Sequence, residues 1–459
     1  MSVELRRTLS LRDLIFITVG TVIGSGIFLT PGGVVRDAGS GGMALAAWIV
    51  GGVLSLLGAL TFAELGAANP DSGGLYAYLK EAFGPLPAFL YGWTMFLVIG
   101  SGSLATLAAA FPRYVAAFVA LSPATSAGSS VVVIAAVTAI NVRGTRQSAN
   151  VQAVTTALKV GVIVLMAAIL TASGGGASQP GEWWPARVSP TTVMNAVTAM
   201  IGVLWAYEGW QYGTFSAGET IDPQRIFARG LIAGTTLLVG IYVFANVGYL
   251  SALGVGGVAS SNRVASDAAA AALGPAAGKL VAVVILVSIF SAANGTILTL
   301  PRLFFAMARD GVFFSRLAVV HPRLGTPVAA IVSTALWSTV LVLSGTFEQL
   351  LTYVVFMSWL WFALAAAAIF VRRRLAPNAH RPFRTPGYPL TPIVFVAAAL
   401  LIVVNTIVVK PAQSAIGVGF ALLGIPAYRV WRARSRLWHV LAISGPSPRF
   451  FGLGQVSNQ

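Results

Sequence analysis

The 459-residue sequence contains no cysteine and very little charge. Without a thiol the chain can form no disulfide, no thiolate metal site and no palmitoyl linkage. A partner subunit attached through a disulfide is therefore excluded. Only 9% of the residues are charged, whereas soluble domains carry about 25%, and 57% are hydrophobic. This composition predicts an integral membrane protein surrounded by a lipid bilayer.

Histidines and acidic residues are also scarce, with 3 of the former and 13 of the latter. His321, His380 and His439 fall in predicted loops or in the C-terminal tail, too scattered for a metal site. We therefore expect no bound metal and no cofactor. An enzyme would need a clustered nucleophile and base, and a channel would need a polar ring or stripe along its spans. The sequence contains neither pattern, so we expect neither an enzyme nor a channel.

Twelve apolar stretches are long enough to cross a bilayer, which takes about 20 residues in an α-helix. They cover residues 13–37, 41–68, 85–119, 128–141, 150–173, 190–217, 229–252, 276–308, 327–344, 347–371, 389–410 and 412–432. Residues 1–12 precede them as a polar and basic N-terminus, and residues 13–434 form the predicted membrane domain. The tail 435–459, which is rich in proline, glycine and serine, is predicted to be disordered.

The basic residues are distributed unevenly between the two sides of these spans. Of the 29 lysine and arginine residues, 22 fall on one side and 6 on the other, with Lys159 left inside a span. Because the more positive side is cytoplasmic, both termini are predicted to be cytoplasmic, in a plasma (inner) membrane. The net charge of +16 thus belongs to loops beside the membrane, and we expect no nucleic-acid partner.

The middle of the first span is rich in glycine, where leucine, isoleucine and valine would be ordinary. Between Gly20 and Gly26, three glycines and a serine occur within seven positions. An interior glycine costs about 1 kcal/mol of helix stability relative to alanine, so Gly24-Ser25-Gly26 predicts a break. The N–H groups after a break favour an anion, and the carbonyls before it favour a cation. An amino acid carries both charges, although close helix packing also explains this stretch on its own.

The sixth span contains a second interrupted segment. Residues 205–213 place Glu208, Gln211 and two glycines near its middle. Spans 1 and 6 hold corresponding positions in two five-helix blocks, 1–5 and 6–10, which enter the membrane from opposite sides. Paired interruptions in two inverted halves indicate a transporter with its binding site near the membrane midplane.

Several motifs along the chain resemble those of one family. They are Gly24-Ser25-Gly26-Ile27-Phe28, Ala63-Glu64-Leu65, Ser72-Gly73-Gly74-Leu75-Tyr76-Ala77-Tyr78, Ala206-Tyr207-Glu208-Gly209-Trp210, Glu219 with Asp222-Pro223, Ala292-Ala293-Asn294-Gly295, and Arg302 to Gly311 with Ala308-Arg309-Asp310-Gly311. In this order, over residues 8–430, the chain resembles the amino acid–polyamine–organocation superfamily, most closely its L-type amino-acid transporter branch. The resemblance implies an all-α polytopic membrane protein with two inverted five-helix repeats, helices 1–5 and 6–10, plus two extra helices. It also implies alternating access around a midplane amino-acid site, with helices 1 and 6 discontinuous.

The two breaks supply the predicted substrate site. Ser25 and Gly26 are expected to bind the substrate carboxylate, because their N–H groups begin the second half of helix 1. Carbonyls beside the breaks would take the ammonium group. Trp205 matches a position where the family has a bulky aromatic over the substrate, and a core or interfacial aromatic is the alternative. The predicted substrate-binding residues are Val22, Ile23, Gly24, Ser25, Gly26, Trp205, Ala206, Glu208 and Gln211.

Lys159 is a basic residue placed inside a span, about 13 Å deep at 1.5 Å per residue. A charge near the bilayer centre costs about 2.5–3.5 kcal/mol on insertion scales. The resemblance places a lysine where sodium-coupled relatives of the fold hold Na⁺ between helices 1 and 8, and Tyr242 resembles a tyrosine that accompanies it in some relatives. Snorkelling is the alternative for Lys159, and a packed aromatic is the alternative for Tyr242. The expected partners of the lysine are helix 1 carbonyls and helix 8 hydroxyls, near Thr21 and Val22 and at Ser288 or Ser291.

Acidic residues have two expected roles. Glu208, placed deep in a span, could face a cationic substrate, carry a proton, or hydrogen-bond neighbouring groups as a structural acid. At the cytoplasmic side, ion pairs are expected to close an inner gate. The predicted members of that gate are Glu219, Asp222, Arg225, Arg309 and Asp310.

These observations together predict a secondary transporter of L-amino acids that works by alternating access. Since a lysine takes the place of Na⁺, exchange or uniport without Na⁺ is the leading interpretation. The alternative is a proton-coupled symporter of amino acids, including cationic amino acids or polyamines, in which Lys159 or Glu208 carries the proton.

Overall fold

The computed structural model describes residues 7–69, 73–176, 180–185 and 187–444. Within these ranges the regular secondary structure is helical, apart from one isolated bridge between Leu9 and Thr220. The predicted all-α class is therefore confirmed. Ser72 of the third motif and the last fifteen residues of the predicted tail, 445–459, lie outside the described residues.

The α-helices are numbered here in chain order. They are α1 (Leu11–Val22), α2 (Gly26–Ala38), α3 (Gly41–Ala68), α4 (Leu75–Phe83), α5 (Pro85–Val115), α6 (Pro123–Arg143), α7 (Thr145–Ser173), α8 (Pro180–Trp183), α9 (Pro190–Ala206), α10 (Pro223–Ser260), α11 (Val264–Leu273), α12 (Pro275–Arg309), α13 (Val328–Ser344), α14 (Phe347–Leu375), α15 (Leu390–Val409) and α16 (Pro411–Ser444). Two 3₁₀ helices cover Trp210–Glu219 and Ser315–Ala318, and α5 contains a π-helical turn at Met95–Ile99.

In the described part of the chain, nine helices are long and apolar enough to cross a membrane, and the bent pair α1–α2 makes a tenth. The other two predicted spans are shorter. Span 9 is α13, with 17 residues, and span 6 is α9, with 17 residues, continued by a 3₁₀ helix. A 17-residue helix is about 25 Å long, near the lower limit for crossing a bilayer. The chain is a multi-pass membrane protein, while the count of twelve and the inverted repeat stay predictions.

The fourth span is longer than its hydropathy indicates. It was predicted at 128–141, whereas α6 runs from Pro123 to Arg143. The Ser122 hydroxyl accepts a 3.2 Å hydrogen bond from the Thr125 N–H group, and Pro123 occupies the first helical position. Both are standard ways to begin a helix. Because this first turn is polar, an apolar window does not detect it.

The predicted break in span 1 is confirmed. α1 ends at Val22, α2 begins at Gly26, and the two helices meet at an angle of 46°. A Cβ atom on Gly26 would lie 2.5 Å from Cα of Ala206 in α9, and one on Gly24 would lie 2.6 Å from the Leu107 side chain. The glycines therefore serve close helix packing as well as the break.

Span 6 is interrupted too, as predicted. α9 ends at Ala206, Gly209 adopts a φ of 117°, and the chain continues in the 3₁₀ helix from Trp210. Glycine alone adopts such a φ without steric cost, so Gly209 permits the change of direction.

The two interrupted spans pack together at the centre of the bundle. α2 lies along α9, and α1 lies against α7 and α10. α12 in turn packs against α5 and α7. The two breaks consequently meet inside a ring of other helices. We call the end of the bundle where α1 begins the inner face and the opposite end, where α14 begins, the outer face.

Candidate functional site

A small buried cavity lies between the two helix breaks. Its volume is about 20 Å³, room for about one water molecule. The residues around it are all buried. The lining residues are Thr21, Val22, Gly24, Ser25, Gly26, Ser103, Leu107, Trp205, Glu208, Tyr212 and Thr296.

The beginning of α2 supplies hydrogen-bond donors at one end of this cavity. The Ser25 side chain is fully buried, and its hydroxyl finds no hydrogen-bond partner among the described residues. The first N–H groups of an α-helix have no acceptor within the helix, which here applies to Gly26 and Ile27. A small anion placed at the cavity would meet these donors and the positive end of the helix dipole.

The carbonyls at the end of α1 are held by side chains from other helices. Lys159 is fully buried and donates hydrogen bonds of 2.6 Å to the Gly20 carbonyl and 2.5 Å to the Ile23 carbonyl. Ser288 of α12 is within hydrogen-bond distance of the carbonyls of Ile23, at 3.0 Å, and Gly24, at 3.1 Å. The lysine therefore does not snorkel, and it links the break to α7.

Two details of this link differ from the sequence prediction. The lysine contacts the carbonyls of Gly20 and Ile23, which flank the predicted Thr21 and Val22. Neither of the expected serines bonds the lysine. The Ser288 hydroxyl lies on the carbonyls of Ile23 and Gly24, and the Ser291 hydroxyl accepts a 2.8 Å hydrogen bond from Thr155. Each backbone carbonyl points along the helix axis from its own turn. The rotation of α1 about its axis therefore decides which of its carbonyls Lys159 can reach. The Ile23 carbonyl already has two donors, and Ile23 does not line the cavity.

A buried polar network continues from this point toward the inner face. The Asn294 side chain accepts a 2.9 Å hydrogen bond from Asn141, and its amide donates to Gln152 at 3.0 Å. Ser148 donates to Asn141 at 2.7 Å. The network joins α6, α7 and α12, and it accounts for the Asn294 motif as a contact between helices.

Tyr242 of α10 connects the two breaks. Its hydroxyl lies 3.2 Å from the Val22 carbonyl and 3.0 Å from the Ala206 carbonyl. A tyrosine has one hydroxyl proton, so it donates to one of these carbonyls at a time. The prediction had associated Tyr242 with the lysine, whereas its hydrogen bonds go to the carbonyls of both breaks.

The two carboxylate oxygens of Glu208 differ in their hydrogen bonding. Its Oε1 atom accepts hydrogen bonds from Gln211, at 2.6 Å, and from Ser358 of α14, at 3.1 Å. Its Oε2 atom is buried and finds no hydrogen-bond partner among the described residues. Gln211 also accepts from the Gly209 N–H group, at 3.1 Å, and does not line the cavity. Gln211 thus positions Glu208, and Glu208 is the carboxylate that reaches the cavity.

Several residues of the cavity wall were missed from the sequence. Ser103 and Leu107 come from α5, Thr296 from α12, and Tyr212 from the 3₁₀ segment, where its hydroxyl donates to Ser103 at 3.1 Å. The π-helical turn at Met95–Ile99 precedes Ser103, and such turns often occur at functional sites. The run Ser101-Gly102-Ser103 inside an apolar span was the available signal in the sequence.

The predicted inner gate is partly wrong in its partners. Glu219 pairs with Arg302 at 2.8 Å, and both side chains are at most 2% exposed. Thr145 adds a 3.0 Å hydrogen bond to Glu219. Backbone hydrogen bonds tie the N-terminal segment to the same place. The Leu9 N–H group lies 2.9 Å from the Glu219 carbonyl. This closure joins the 3₁₀ segment, α7 and α12.

The other predicted gate residues form different contacts. Asp310 pairs with Lys80 at 2.7 Å and accepts a 2.6 Å hydrogen bond from Tyr76. Burial and the Asp310 carboxylate raise the pKa of the Tyr76 hydroxyl. The Arg309 guanidinium lies over the Phe305 ring, and no carboxylate within the described residues pairs with it. The exposed pair Asp222 and Arg225, 3.7 Å apart, is local to the start of α10 and joins no second element.

Known proteins resemble this chain over nearly its whole length. A sequence model of the amino acid permease family matches residues 9–428. The chain is 31% identical over 427 residues to the serine/threonine exchanger SteT of Bacillus subtilis (strain 168), covering 92% of this chain and 96% of that protein. It is 31% identical over 454 residues to the cystine/glutamate transporter of Homo sapiens, covering 96% and 89% of the two chains. It is also 32% identical over 434 residues to the large neutral amino acids transporter small subunit 2 of Rattus norvegicus, covering 93% and 81%.

Proposed function

The chain belongs to the amino acid permease family, and we propose that it moves L-amino acids across the plasma membrane by alternating access. Members of the family are transporters and not enzymes. The observation that carries the proposal is the meeting of two helix breaks at one buried cavity. In this proposal both termini lie in the cytoplasm, as the distribution of basic residues indicates.

The α-amino acid group would bind between the breaks. Its carboxylate would take the Ser25 hydroxyl and the N–H groups that begin α2, because these donors lack partners within the described structure. Its ammonium would take carbonyls at the ends of α1 and α9. Val22, which lines the cavity, and Ala206, which ends α9 and is not among the lining residues, offer two such carbonyls. The two share the single proton of Tyr242, so each retains acceptor capacity.

The substrate side chain would meet Glu208. Glu208 lines the cavity, and its buried Oε2 atom has no hydrogen-bond donor among the described residues. A substrate side chain that carries a hydroxyl or an ammonium group would supply that donor. We therefore propose a small or medium L-amino acid with a polar or cationic side chain, which agrees with the name of the serine/threonine exchanger relative.

Transport would need no Na⁺. The Lys159 ammonium occupies the space between α1, α7 and α12 and binds the carbonyls of the first break. A lysine ammonium at this position takes the carbonyls of Gly20 and Ile23, which would otherwise be open to Na⁺. Exchange or uniport is the mode that follows most directly.

A second candidate mode, proton-coupled symport, is favoured by the same Glu208 atom. A buried carboxylate oxygen without a donor can bind a proton in place of a substrate group. Uptake would then rise when the proton concentration is higher on the side from which the substrate comes.

The test is uptake by the purified chain in proteoliposomes, measured with a panel of labelled L-amino acids. Each amino acid is tested with and without internal substrate, with and without Na⁺, and with and without a pH gradient. We expect uptake without Na⁺ that is accelerated by internal substrate. The methyl ester of the best substrate should bind much more weakly, because it lacks the carboxylate. If no amino acid is transported or bound under any of these conditions, the proposal is wrong.

A further inference from the structure

The cavity is covered on its outer side by a short stack of side chains. Trp205 lines the cavity, and its ring meets Phe347 edge to face at a centroid distance of 6.3 Å. The Arg113 guanidinium lies over the same Phe347 ring, 4.9 Å from its centroid. The stack runs from the cavity toward the outer face through three helices, α9, α14 and α5.

An ion pair completes this stack at its outer end. Arg113 contacts Glu348, the residue after Phe347, at 2.7 Å. The Arg113 side chain is 40% exposed and that of Glu348 is 66% exposed, so water reaches the pair. An exposed ion pair changes an equilibrium by about fivefold at most, and a cation over an exposed aromatic ring adds a factor of similar size.

The inner closure is built quite differently. It contains the buried pair of Glu219 and Arg302 and the backbone hydrogen bonds of the N-terminal segment. Opening the inner side would expose or separate buried charges, which is strongly unfavourable. Opening the outer side would separate only groups that water can already solvate. The outer stack is therefore the side of the cavity that can open with small changes in free energy.

The helix α14 ties this outer stack to the site itself. Phe347 and Glu348 stand at its first turn, and Ser358, about 16 Å further along at 1.5 Å per residue, hydrogen-bonds Glu208. A shift of the outer end of α14 would thus uncover Trp205 while Ser358 stays near the binding residues.

We propose that Phe347 and the Arg113–Glu348 ion pair are positioning residues that hold Trp205 over the cavity as an outer lid. The ion pair acts as the latch of the lid, and Phe347 transmits its position to Trp205. This proposal rests on the proposed function for the nature of the substrate, but the lid itself is a property of the chain alone.

The absence of cysteine makes a direct test possible. Thr296→Cys places one thiol in the cavity wall, where the native hydroxyl bonds only to its own helix. The rate at which a membrane-impermeant thiol reagent labels it from the outer side, in proteoliposomes of known orientation, measures opening of the lid. In the Thr296→Cys protein, Arg113→Gln should raise the rate of labelling from the outer side about tenfold. Labelling from the inner side should not rise.

Two further variants keep the test specific. Lys279→Gln removes another exposed cation at the outer face, at the start of α12, and should leave the labelling rate unchanged. The charge swap Arg113→Glu with Glu348→Arg should slow labelling part of the way back toward the parent rate, because it rebuilds the ion pair but not the guanidinium of residue 113 over Phe347. Equal rates in Arg113→Gln and Lys279→Gln, or a charge swap that labels as fast as Arg113→Gln, would overturn the latch.

Protection by substrate separates this proposal from the proposed function. Addition of a transported amino acid should slow labelling of Thr296→Cys. If no amino acid protects the thiol while the latch variants still change its labelling as expected, the proposed function fails and the lid stands. If amino acids protect it and the latch variants have no effect, the lid fails and the proposed function stands.

Discussion

Apart from Tyr242, which hydrogen-bonds carbonyls of both breaks, the first helix break is held by side chains from two other helices. The second break is held largely by residues close to it in the chain. At the first break, Lys159 and Ser288 take the carbonyls of Gly20, Ile23 and Gly24. At the second, Gln211 and the Gly209 N–H group form a local ring with Glu208, and Ser358 is the contribution of another helix.

This difference assigns different tasks to the two breaks. The first presents backbone donors and, beside the buried Lys159, backbone carbonyls. In the proposed function the donors would bind the carboxylate and a carbonyl would bind the ammonium group, and every amino acid shares these two groups. The second presents the side chain of Glu208, which lines the cavity. Its Oε1 atom accepts hydrogen bonds, and its Oε2 atom has no hydrogen-bond partner among the described residues. We infer that the first break provides general binding and the second provides selection among substrates. The following predictions test this division, in order of expected size.

The largest effect should come from filling the first break. Gly26→Leu places a Cβ atom 2.5 Å from the Ala206 Cα atom and a side chain where the carboxylate would bind. Loss of two charge-assisted hydrogen bonds, each about 1.5–3 kcal/mol, predicts binding at least about 100-fold weaker. Gly33→Leu is the matched control in the same helix, because a Cβ atom there meets only the Arg36 side chain, at 3.8 Å. Substrate binding to detergent-purified protein measures both, and wild-type affinity in Gly26→Leu would contradict the site.

Replacement of Lys159, the buried lysine beside the first break, should have the next largest effect. Lys159→Ala leaves the buried Gly20 carbonyl without its donor, and an unsatisfied buried group costs about 1–3 kcal/mol. If this cost is added to the activation free energy of transport, the exchange rate drops roughly 10- to 100-fold. The rate is measured in Na⁺-free and Na⁺-containing buffers, with Lys279→Ala as the control. A wild type that requires Na⁺, or an undiminished rate in Lys159→Ala, would rule out the role of the lysine.

Neutralisation of Glu208 at the second break should change substrate selectivity more than overall transport activity. Glu208→Gln keeps the shape of the side chain but removes its negative charge, so a charged hydrogen bond becomes a neutral one. The difference of about 1 kcal/mol predicts roughly a fivefold loss of preference for polar or cationic substrates over alanine.

Competition uptake at several pH values measures this selectivity, with Asp222→Asn as a control acid at the surface. A flattened pH profile in Glu208→Gln would favour the proton-coupled mode. If substrate preference and pH profile keep their shape while the melting temperature falls, Glu208 has only a structural role.

The smallest effect should come from the group that the two breaks share. Tyr242→Phe removes a hydroxyl that lies between the carbonyls of Val22 and Ala206. Loss of one neutral hydrogen bond, about 0.5–1.5 kcal/mol, predicts a change in substrate affinity of about threefold. Tyr353→Phe, a partly exposed tyrosine of α14, is the control. A loss as large as that of Gly26→Leu would mean that Tyr242 contacts substrate directly and that the two breaks are not distinct.

Much of the fold followed from short stretches of sequence. Apolar runs of about 20 residues predicted the spans, since a bilayer selects them by length and composition alone. Gly24-Ser25-Gly26 and Glu208-Gly209 predicted the interruptions, because the free-energy cost of glycine in a helix and its freedom at positive φ are local properties. The turn before residue 128 was missed because it is polar and is ordered by a cap.

The sequence by itself determined the class of the protein, the position of both breaks and the presence of one buried lysine and one buried acid. Only the tertiary structure decided which groups those residues meet. Lys159 bonds the carbonyls of Gly20 and Ile23, and Glu219 pairs with Arg302, 83 positions away. The reason is physical: a break depends on the backbone of its own few residues, whereas a partner depends on the rotation and register of packed helices. Rotation and register are set by contacts between residues far apart in the chain, such as Gly26 on Ala206, and no single stretch of sequence contains them.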